Sequence, residues 1–176
     1  MSDHIVVERC GAVSPGGWGV AALLEITDAN RALPSSPLLR PGWEMPMQAH
    51  PVPAPAARLP IFAHARLRRT SPVSQYAVAA ALEALGTDQA AVTAGQIRLG
   101  VICCVMSGCV NYSRRFYDEA LKDPSTASPL VFPETVFNAP SSHLASVLGA
   151  TGLNYTVVGD PGTFVQALAM AANWLD

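Results

Sequence analysis

The residues that first suggest chemistry in this chain form a turn near its C-terminal end, Gly159-Asp160-Pro161-Gly162-Thr163. An apolar β-type run, residues 153–158, precedes the turn, and an alanine-rich run, residues 164–171, follows it. This order predicts a buried strand, a sharp turn and a helix. A helix N-terminus offers unpaired backbone N–H groups and a partial positive charge, which favour a thiolate or an oxyanion. The turn therefore occupies a place that suits a nucleophile.

The side chains of this turn are nevertheless typical of a helix cap. Pro161 has neither a nucleophilic atom nor an N–H donor. Asp160 is expected to accept a hydrogen bond from the amide of Gly162 or Thr163, and Pro161 fits the first helical position. Such a cap contributes on the order of 1 kcal/mol. Two alternatives stay open, with Thr163 as a nucleophile or Asp160 as a general base, although neither has an identifiable partner in the sequence.

The four cysteines are a second source of chemistry, and they are Cys10, Cys103, Cys104 and Cys109. Adjacent cysteines on a strand point to opposite faces, so Cys103 and Cys104 cannot chelate as a simple pair. Small buried hydrophobic residues are the interpretation we favour for them. One alternative is a zinc site with His143 as fourth ligand, but the usual Cys-x-x-Cys pairs are missing and no metal is predicted. In a second alternative, Cys109 is exposed and acts as an acyl acceptor.

Composition narrows the class of protein. Half of the 176 residues are hydrophobic, 14% are charged and the net charge is −2, which indicates one domain with a sizeable core. Nucleic acid and anionic membranes are therefore poor partners. No apolar stretch reaches the roughly 20 residues of a membrane span. The N-terminus lacks the basic start and apolar run of a signal peptide, so a cytoplasmic location is expected. The early glycines lack the G-x-G-x-x-G spacing, and no cofactor is predicted.

Several elements must position these residues. The patterns predict strands over residues 5–13 and 98–106, helices over residues 18–25, 74–85 and 113–122, and a short helix opening at residue 141. Gly86, Asp123-Pro124 and either Gly149 or Gly152 are the expected helix ends. Strands that alternate with helices indicate an α/β fold with a mostly parallel or mixed sheet.

Two segments depart from regular patterns. Residues 34–72 contain nine of the fifteen prolines and are expected to form an extended surface excursion with little regular structure. The last helix is apolar on nearly every face and is expected to be covered on all sides. Nothing follows it in the sequence, which suggests that part of a fold or a partner is absent.

Together these segments resemble the N-terminal half of the β-ketoacyl synthases, the condensing enzymes of the thiolase superfamily. The similar segments follow one another in order: Gly11-Ala12-Val13-Ser14-Pro15-Gly16-Gly17, the alanine-rich run 75–85, residues 98–102 with Ser107-Gly108, residues 137–145, and residues 152–157. The resemblance implies a single domain, residues 1–176, with a thiolase-like half-fold. Its sheet would be mixed and mostly parallel, with helices on both faces.

The resemblance also assigns positions to a site. Aligned without gaps, the family's nucleophilic cysteine falls on Pro161, and the family's two catalytic histidines lie in a C-terminal half that this chain lacks. His64 and His143 match neither histidine motif. Phe137 and Asn138 lie in the segment that runs near the acyl pocket and subunit interface in this family. Together with Cys109 they are the candidates for such a surface.

The function that the resemblance implies is that of a catalytically degenerate ketosynthase-like protein of fatty acid or polyketide-type biosynthesis. Such a protein would dock onto an active condensing enzyme, as chain length factors do. Its partner is expected to be a ketosynthase-type subunit or a second copy of the chain, with acyl carrier protein as a further partner. The alternatives are an acyltransferase acting on acyl-carrier-protein or coenzyme A thioesters, and the N-terminal fragment of a longer homologue.

Overall fold

The structure is a computed structural model that describes residues 5–57 and 59–175. These residues form six α-helices: α1 (Val20–Asp28), α2 (Pro72–Leu85), α3 (Gln89–Thr93), α4 (Val110–Lys122), α5 (Ala139–Leu148) and α6 (Thr163–Leu175). The strands are β1 (Val13–Ser14), β2 (Gly17–Trp18), β3 (Ser36–Leu38), β4 (Met47–Ala49), β5 (Val101–Val105) and β6 (Asn154–Val158). Short 3-10 helices cover Pro60–Ala63, Ala65–Arg69, Gly86–Asp88, Pro124–Thr126 and Phe132–Glu134.

The strands form three pairs. β5 and β6 are parallel, with Val101 opposite Asn154 and Val105 opposite Val158. The pairs β1–β2 and β3–β4 are antiparallel. Helix α5 packs on β5 and β6, and α6 packs on the same two strands. Leu144 of α5 shares the core with Val101, whereas the Cys104 thiol points to the carbonyl of Thr163 at the start of α6. The predicted mixed α/β arrangement with helices on both faces is confirmed.

The predicted helix ends are confirmed. Helix α2 ends at Gly86 with φ 50°, and α5 ends at Gly149 with φ 70°. Because side chains other than glycine are strained at such positive φ, glycine fits both positions. The first residues of the helices are less well predicted, since α2 begins at Pro72, two residues before the predicted start. There the Ser71 hydroxyl accepts a hydrogen bond from the Ser74 amide, and Pro72 occupies the first turn.

The strand predicted for residues 5–13 is wrong. Only Val13 of that run pairs with another strand, opposite Trp18. The rest lies along the C-terminal end of α2, where Arg9 Nη1 donates to the Leu85 carbonyl at 2.7 Å. The Ala12 amide donates to Glu83 Oε2 at 2.9 Å. An apolar run becomes a strand only when a sheet edge accepts it, and here the Ala12 amide and the Arg9 side chain are bonded to α2 instead.

The proline-rich excursion is partly regular and partly buried. It contains the β3–β4 pair, and its Pro53 carbonyl accepts a hydrogen bond from the Trp18 indole at 2.7 Å. The surface position predicted for residues 34–72 is wrong at the C-terminal end, where Ile61 and Leu67 are buried. These two side chains join the main core with Val78 of α2 and Leu144 of α5, and the 3-10 helix Ala65–Arg69 contacts α5.

The core lies where α2, α5 and β5 meet. Its buried members are Ile61, Leu67, Val78, Val101, Leu144 and Leu148. Helix α6 is mostly outside this core, because Ala167 is its single buried residue among those described. The cover predicted for α6 on all sides is therefore absent from the described part of the chain. Within that part, no helix is both long enough and apolar enough to cross a bilayer.

Candidate functional site

The strand-to-helix elbow has the predicted order of elements. β6 ends at Val158, the turn spans residues 159–162, and α6 begins at Thr163. Asp160 Oδ1 accepts a hydrogen bond from the Gly162 amide at 2.8 Å. The Asp160 carbonyl accepts two more, from the Thr163 amide at 3.0 Å and from Thr163 Oγ1 at 2.7 Å. Pro161 precedes the helix by two residues, so the expectation that it occupies the first helical position is wrong.

The backbone N–H groups at the start of α6 are already bonded. After Thr163, the Phe164 amide donates to the Pro161 carbonyl at 3.3 Å, and the Val165 amide donates to the Gly162 carbonyl at 3.1 Å. An oxyanion hole requires N–H donors that point at the developing charge and have no other acceptor. The first three amides of this helix do not meet that condition.

Gly159 joins the strand to the elbow under tight steric limits. Its amide donates to the Val105 carbonyl at 3.1 Å, which extends the β5–β6 pairing by one bond. A Cβ atom at residue 159 would overlap Thr163 Cγ2. The absence of a side chain at residue 159 therefore lets the first turn of α6 fold back against the end of β6.

Phe137 packs against Gly108, the residue before Cys109. The Phe137 ring packs so closely on Gly108 that a Cβ there would be 3.1 Å from Phe137 Cδ1. Cys109 is buried, and its Sγ is 2.8 Å from Ser71 Oγ in a hydrogen bond. Burial raises the pKa of the Cys109 thiol, although the hydrogen bond between Cys109 and Ser71 opposes this. The alternative with Cys109 exposed is thus wrong.

Phe137 and Asn138 are themselves exposed. The Asn138 carbonyl accepts hydrogen bonds from the Ser142 amide and from Ser141 Oγ, which fixes the start of α5. Phe137 is half-exposed beside it. The two candidates for a pocket or interface surface therefore lie next to each other, while Cys109 is buried behind Gly108.

A buried acidic group lies behind this surface and was not predicted. Glu134 Oε2 accepts from the Ser71 amide at 2.9 Å, and Glu134 Oε1 is 2.5 Å from His143 Nε2. The Glu134 side chain is 5% exposed. Burial alone would raise the pKa of Glu134, but the hydrogen bonds from His143 and Ser71 and the His143 charge hold it below its usual range.

The histidine and cysteines of the alternative zinc site make separate structural contacts. His143 Nε2 contacts Glu134, and its Nδ1 is buried without a hydrogen-bond partner among the described residues. Cys103 packs against the core, and Cys104 faces α6, so the two thiols point to opposite faces as predicted. Burial, with the neighbouring thiols Cys104 and Cys109, raises the pKa of Cys103 to about 11. In residues 5–57 and 59–175, no three His, Cys, Asp or Glu side chains cluster as metal ligands would.

A cavity of about 950 Å³ opens between α6 and the β5–β6 pair. Its walls are mainly apolar and come from β5, from residues 151–153 and from one side of α6. Arg98 is the one charged residue among those that line it. The cavity does not contain the elbow residues 159–163.

The elements form a mixed α/β fold in which helices lie on both faces of the parallel β5–β6 pair. No family model matches the sequence, and no curated protein matches it. Two solved structures with a similar fold contain a ketosynthase and a chain length factor. At the low sequence identities found, the likeness establishes the fold alone.

These two structures are the ishigamide ketosynthase/chain length factor and a complex from Xenorhabdus doucetiae. The first is 19% identical, with a TM-score of 0.74 over 97% of this chain and 48% of that one. The second is the ketosynthase ApeO in complex with its chain length factor ApeC, at 19% identity and a TM-score of 0.62. It is matched over 97% of this chain and 61% of that one. The chain thus spans about half to three fifths of the length of these proteins.

Proposed function

We propose that this chain is a non-catalytic, chain-length-factor-like protein of polyketide-type biosynthesis that acts by docking onto a cysteine-bearing ketosynthase. The observation that carries this proposal is the elbow. Pro161 stands where the resemblance places the nucleophile, and the first three amides of α6 are bonded to turn carbonyls. Neither a nucleophile nor a set of oxyanion donors is available there.

The other candidate nucleophiles are engaged in structural contacts. Thr163 Oγ1 donates to the Asp160 carbonyl, and the Asp160 carboxylate accepts from Gly162. The Cys109 thiol has a raised pKa, so little of the reactive thiolate forms near neutral pH. These contacts support a docking function over the alternative of an acyltransferase.

The docking surface that we assign to the ketosynthase surrounds Phe137. Four large apolar side chains there are between 41% and 65% exposed, namely Leu130, Phe132, Val136 and Phe137. They lie on or beside the 3-10 helix Phe132–Glu134, which the buried contacts of Glu134 hold against α2 and α5. A cluster of exposed aromatic and aliphatic side chains on a rigid support is typical of a protein interface.

Co-expression of the tagged full chain with each cysteine-bearing ketosynthase of the same genome tests this proposal. We expect one of them to co-purify in a fixed stoichiometry. Leu130→Asp should weaken the complex at least about 10-fold, because an unpaired carboxylate would be buried in the interface. Leu39→Asp is the matched control, because Leu39 is 63% exposed on another part of the molecule. Separate elution of the chain from every ketosynthase would contradict the proposal.

Loading with a labelled acyl thioester tests the absence of catalysis. We expect neither a covalent adduct nor turnover from acyl-carrier-protein or coenzyme A thioesters. Pro161→Cys should also fail to turn over, because a new thiol still lacks free oxyanion donors and a base. Turnover by the unmodified chain would support the acyltransferase alternative instead.

A further inference from the structure

One side of α4 supports residues 128–137, the docking segment that carries the exposed apolar side chains around Phe137. Residues of α4 at i, i+3 and i+6 lie on this side and contact the segment, namely Ser113, Phe116 and Glu119. Ser113 Oγ donates to the Thr135 carbonyl at 3.2 Å, and the ring centroids of Phe116 and Phe132 are 5.4 Å apart. The Ser128 amide donates to Glu119 Oε2 at 3.0 Å. The docking segment therefore runs along α4 in the opposite direction, with one contact for each turn of the helix.

The carboxylate of Glu119 is itself held in place. Glu119 Oε1 accepts a hydrogen bond from Arg115 Nε at 2.9 Å, one helical turn earlier, while Oε2 accepts from Ser128. The bond from Arg115, followed by the one from Ser128, holds the pKa of Glu119 below its usual range, so the carboxylate is ionised near neutral pH. A hydrogen bond from a backbone amide to an ionised carboxylate is stronger than one between neutral groups. Glu119 therefore joins α4 firmly to the first residue of the docking segment.

Ser128 links this bond to the exposed side chains. Its carbonyl accepts from the Val131 amide at 3.0 Å and from the Phe132 amide at 3.3 Å, which sets the turn before the 3-10 helix Phe132–Glu134. Val131 is buried, whereas Leu130 and Phe132 on either side of it are 65% and 54% exposed. The bond between Glu119 and Ser128 is thus at the start of the turn that presents two large apolar side chains.

We propose that Glu119 is a positioning residue for docking to the ketosynthase, because it holds Ser128 and so orders Leu130 and Phe132 before the partner binds. This inference rests on the proposed docking function and adds to it a residue that acts through Ser128. Ordering a loop during binding has an entropic cost, which a loop already ordered in the free chain avoids. The affinity for the ketosynthase therefore depends on Glu119 although none of the exposed apolar side chains is changed.

Hydrogen exchange measured by mass spectrometry on the full chain alone tests whether Glu119 orders the docking segment. Glu119→Ala should speed exchange in peptides covering residues 128–137 at least about 10-fold, because the Ser128 amide loses its acceptor and the turn behind it opens more often. Asp118→Ala is the matched control, since the Asp118 side chain is 60% exposed and its 3.7 Å ion pair is with Arg114 of the same helix. It removes the same charge from α4, keeps the bond to Ser128 and should leave exchange unchanged. Equal exchange in wild type and Glu119→Ala would overturn the proposal.

Binding of the co-purifying ketosynthase tests whether this order contributes to docking. Glu119→Ala should raise the dissociation constant at least about 10-fold, because the docking segment must then be ordered during binding. Glu119→Gln keeps an oxygen that can accept from the Ser128 amide, so its dissociation constant should stay within about 3-fold of the wild type. Asp118→Ala should bind as the wild type does.

The outcomes separate this role from the docking function itself. If the wild type and Glu119→Ala bind the ketosynthase equally well, the role of Glu119 is overturned and the docking function stands. If the wild type binds no ketosynthase, the docking function fails, and the role of Glu119 in docking fails with it. If Glu119→Gln and Asp118→Ala lose as much affinity as Glu119→Ala, the partner recognises the charge of α4 and not the order imposed through Ser128, which also overturns the proposal.

Discussion

Glu134 and Asp160 show which contacts of single residues can be predicted from sequence and which cannot. It lies in a proline-punctuated segment without clear periodicity, and its partners are nine residues later and sixty-three residues earlier. No local pattern indicates such a pairing. The bond from Gly162 to Asp160 was predicted because it spans two residues and follows a known capping geometry. The cap could therefore be predicted from neighbouring residues, whereas the buried pair of Glu134 and His143 depends on the tertiary fold.

The ionised form of Glu134 should stabilise the protein in a pH-dependent way. Its pKa is lower in the folded chain than the ordinary value of 4.5. The stabilisation is therefore fully present above that value and is lost as the pH falls through the folded pKa. Glu134→Gln should lower the free energy of unfolding by about 2 kcal/mol near neutral pH. This difference from the wild type should shrink as the pH falls below about 4.5, measured by urea unfolding at several pH values.

The control for this comparison is Glu25→Gln. Glu25 is 72% exposed, and its 3.7 Å ion pair with Arg31 lies at the surface. The substitution should change the free energy of unfolding by less than about 0.5 kcal/mol. If the difference between wild type and Glu134→Gln stays constant across the acid range, Glu134 is not the ionised partner of His143.

At the level of elements, the ends of helices were more predictable than the strands. Gly86 and Gly149 mark helix ends through their own backbone conformation, so a local sequence signal suffices. The run 5–13 has a β-type composition, but most of it does not pair with another strand. Strand formation requires a neighbouring edge, and the sequence of the run does not say whether one is present. The same reason explains why the apolar α6 was predicted as a helix while its cover was not identified.

The junction between β6 and α6 gives a sharp test of the elbow. Gly159→Ala places a methyl group against Thr163 Cγ2, so it should destabilise the chain by about 1–3 kcal/mol. Thr163→Ser removes that methyl and keeps the hydroxyl bonded to the Asp160 carbonyl. The double variant should recover most of the loss, with a coupling energy above about 0.5 kcal/mol in a double-mutant cycle. Additive effects of the two substitutions would mean that the close approach does not limit this turn.

For the molecule as a whole, the excursion of residues 34–72 is both a surface feature and a part of the core. Its prolines correctly indicated a segment poor in long elements, yet composition does not reveal that Leu67 is fully buried. Burial depends on where the 3-10 helix Ala65–Arg69 meets α5 and on the bond from Gln75 Nε2 of α2 to the Leu67 carbonyl. The predicted α/β class was correct, because it follows from the order of elements and not from how loops pack.

Leu67 and Leu39 test how the excursion contributes to stability. Leu67→Ala leaves a cavity in the core and should lower the free energy of unfolding by about 2–5 kcal/mol. Leu39→Ala makes the same chemical change at a side chain that is 63% exposed, and its effect should stay within about 0.5 kcal/mol. Chemical denaturation of both variants measures the difference. Equal effects would show that the excursion is not anchored through Leu67.

The parallel pairing of β5 with β6 also has a consequence for the order of folding. Val101 is opposite Asn154, and α4 and α5 lie in the intervening segment. Closing a loop of this length has an entropic cost before the new contacts stabilise it. During synthesis, β5 therefore leaves the ribosome well before its partner strand, and the N–H and C=O groups along its open edge are still unpaired. We therefore expect the pairing of β6 with β5 to form late in folding, after the local helices.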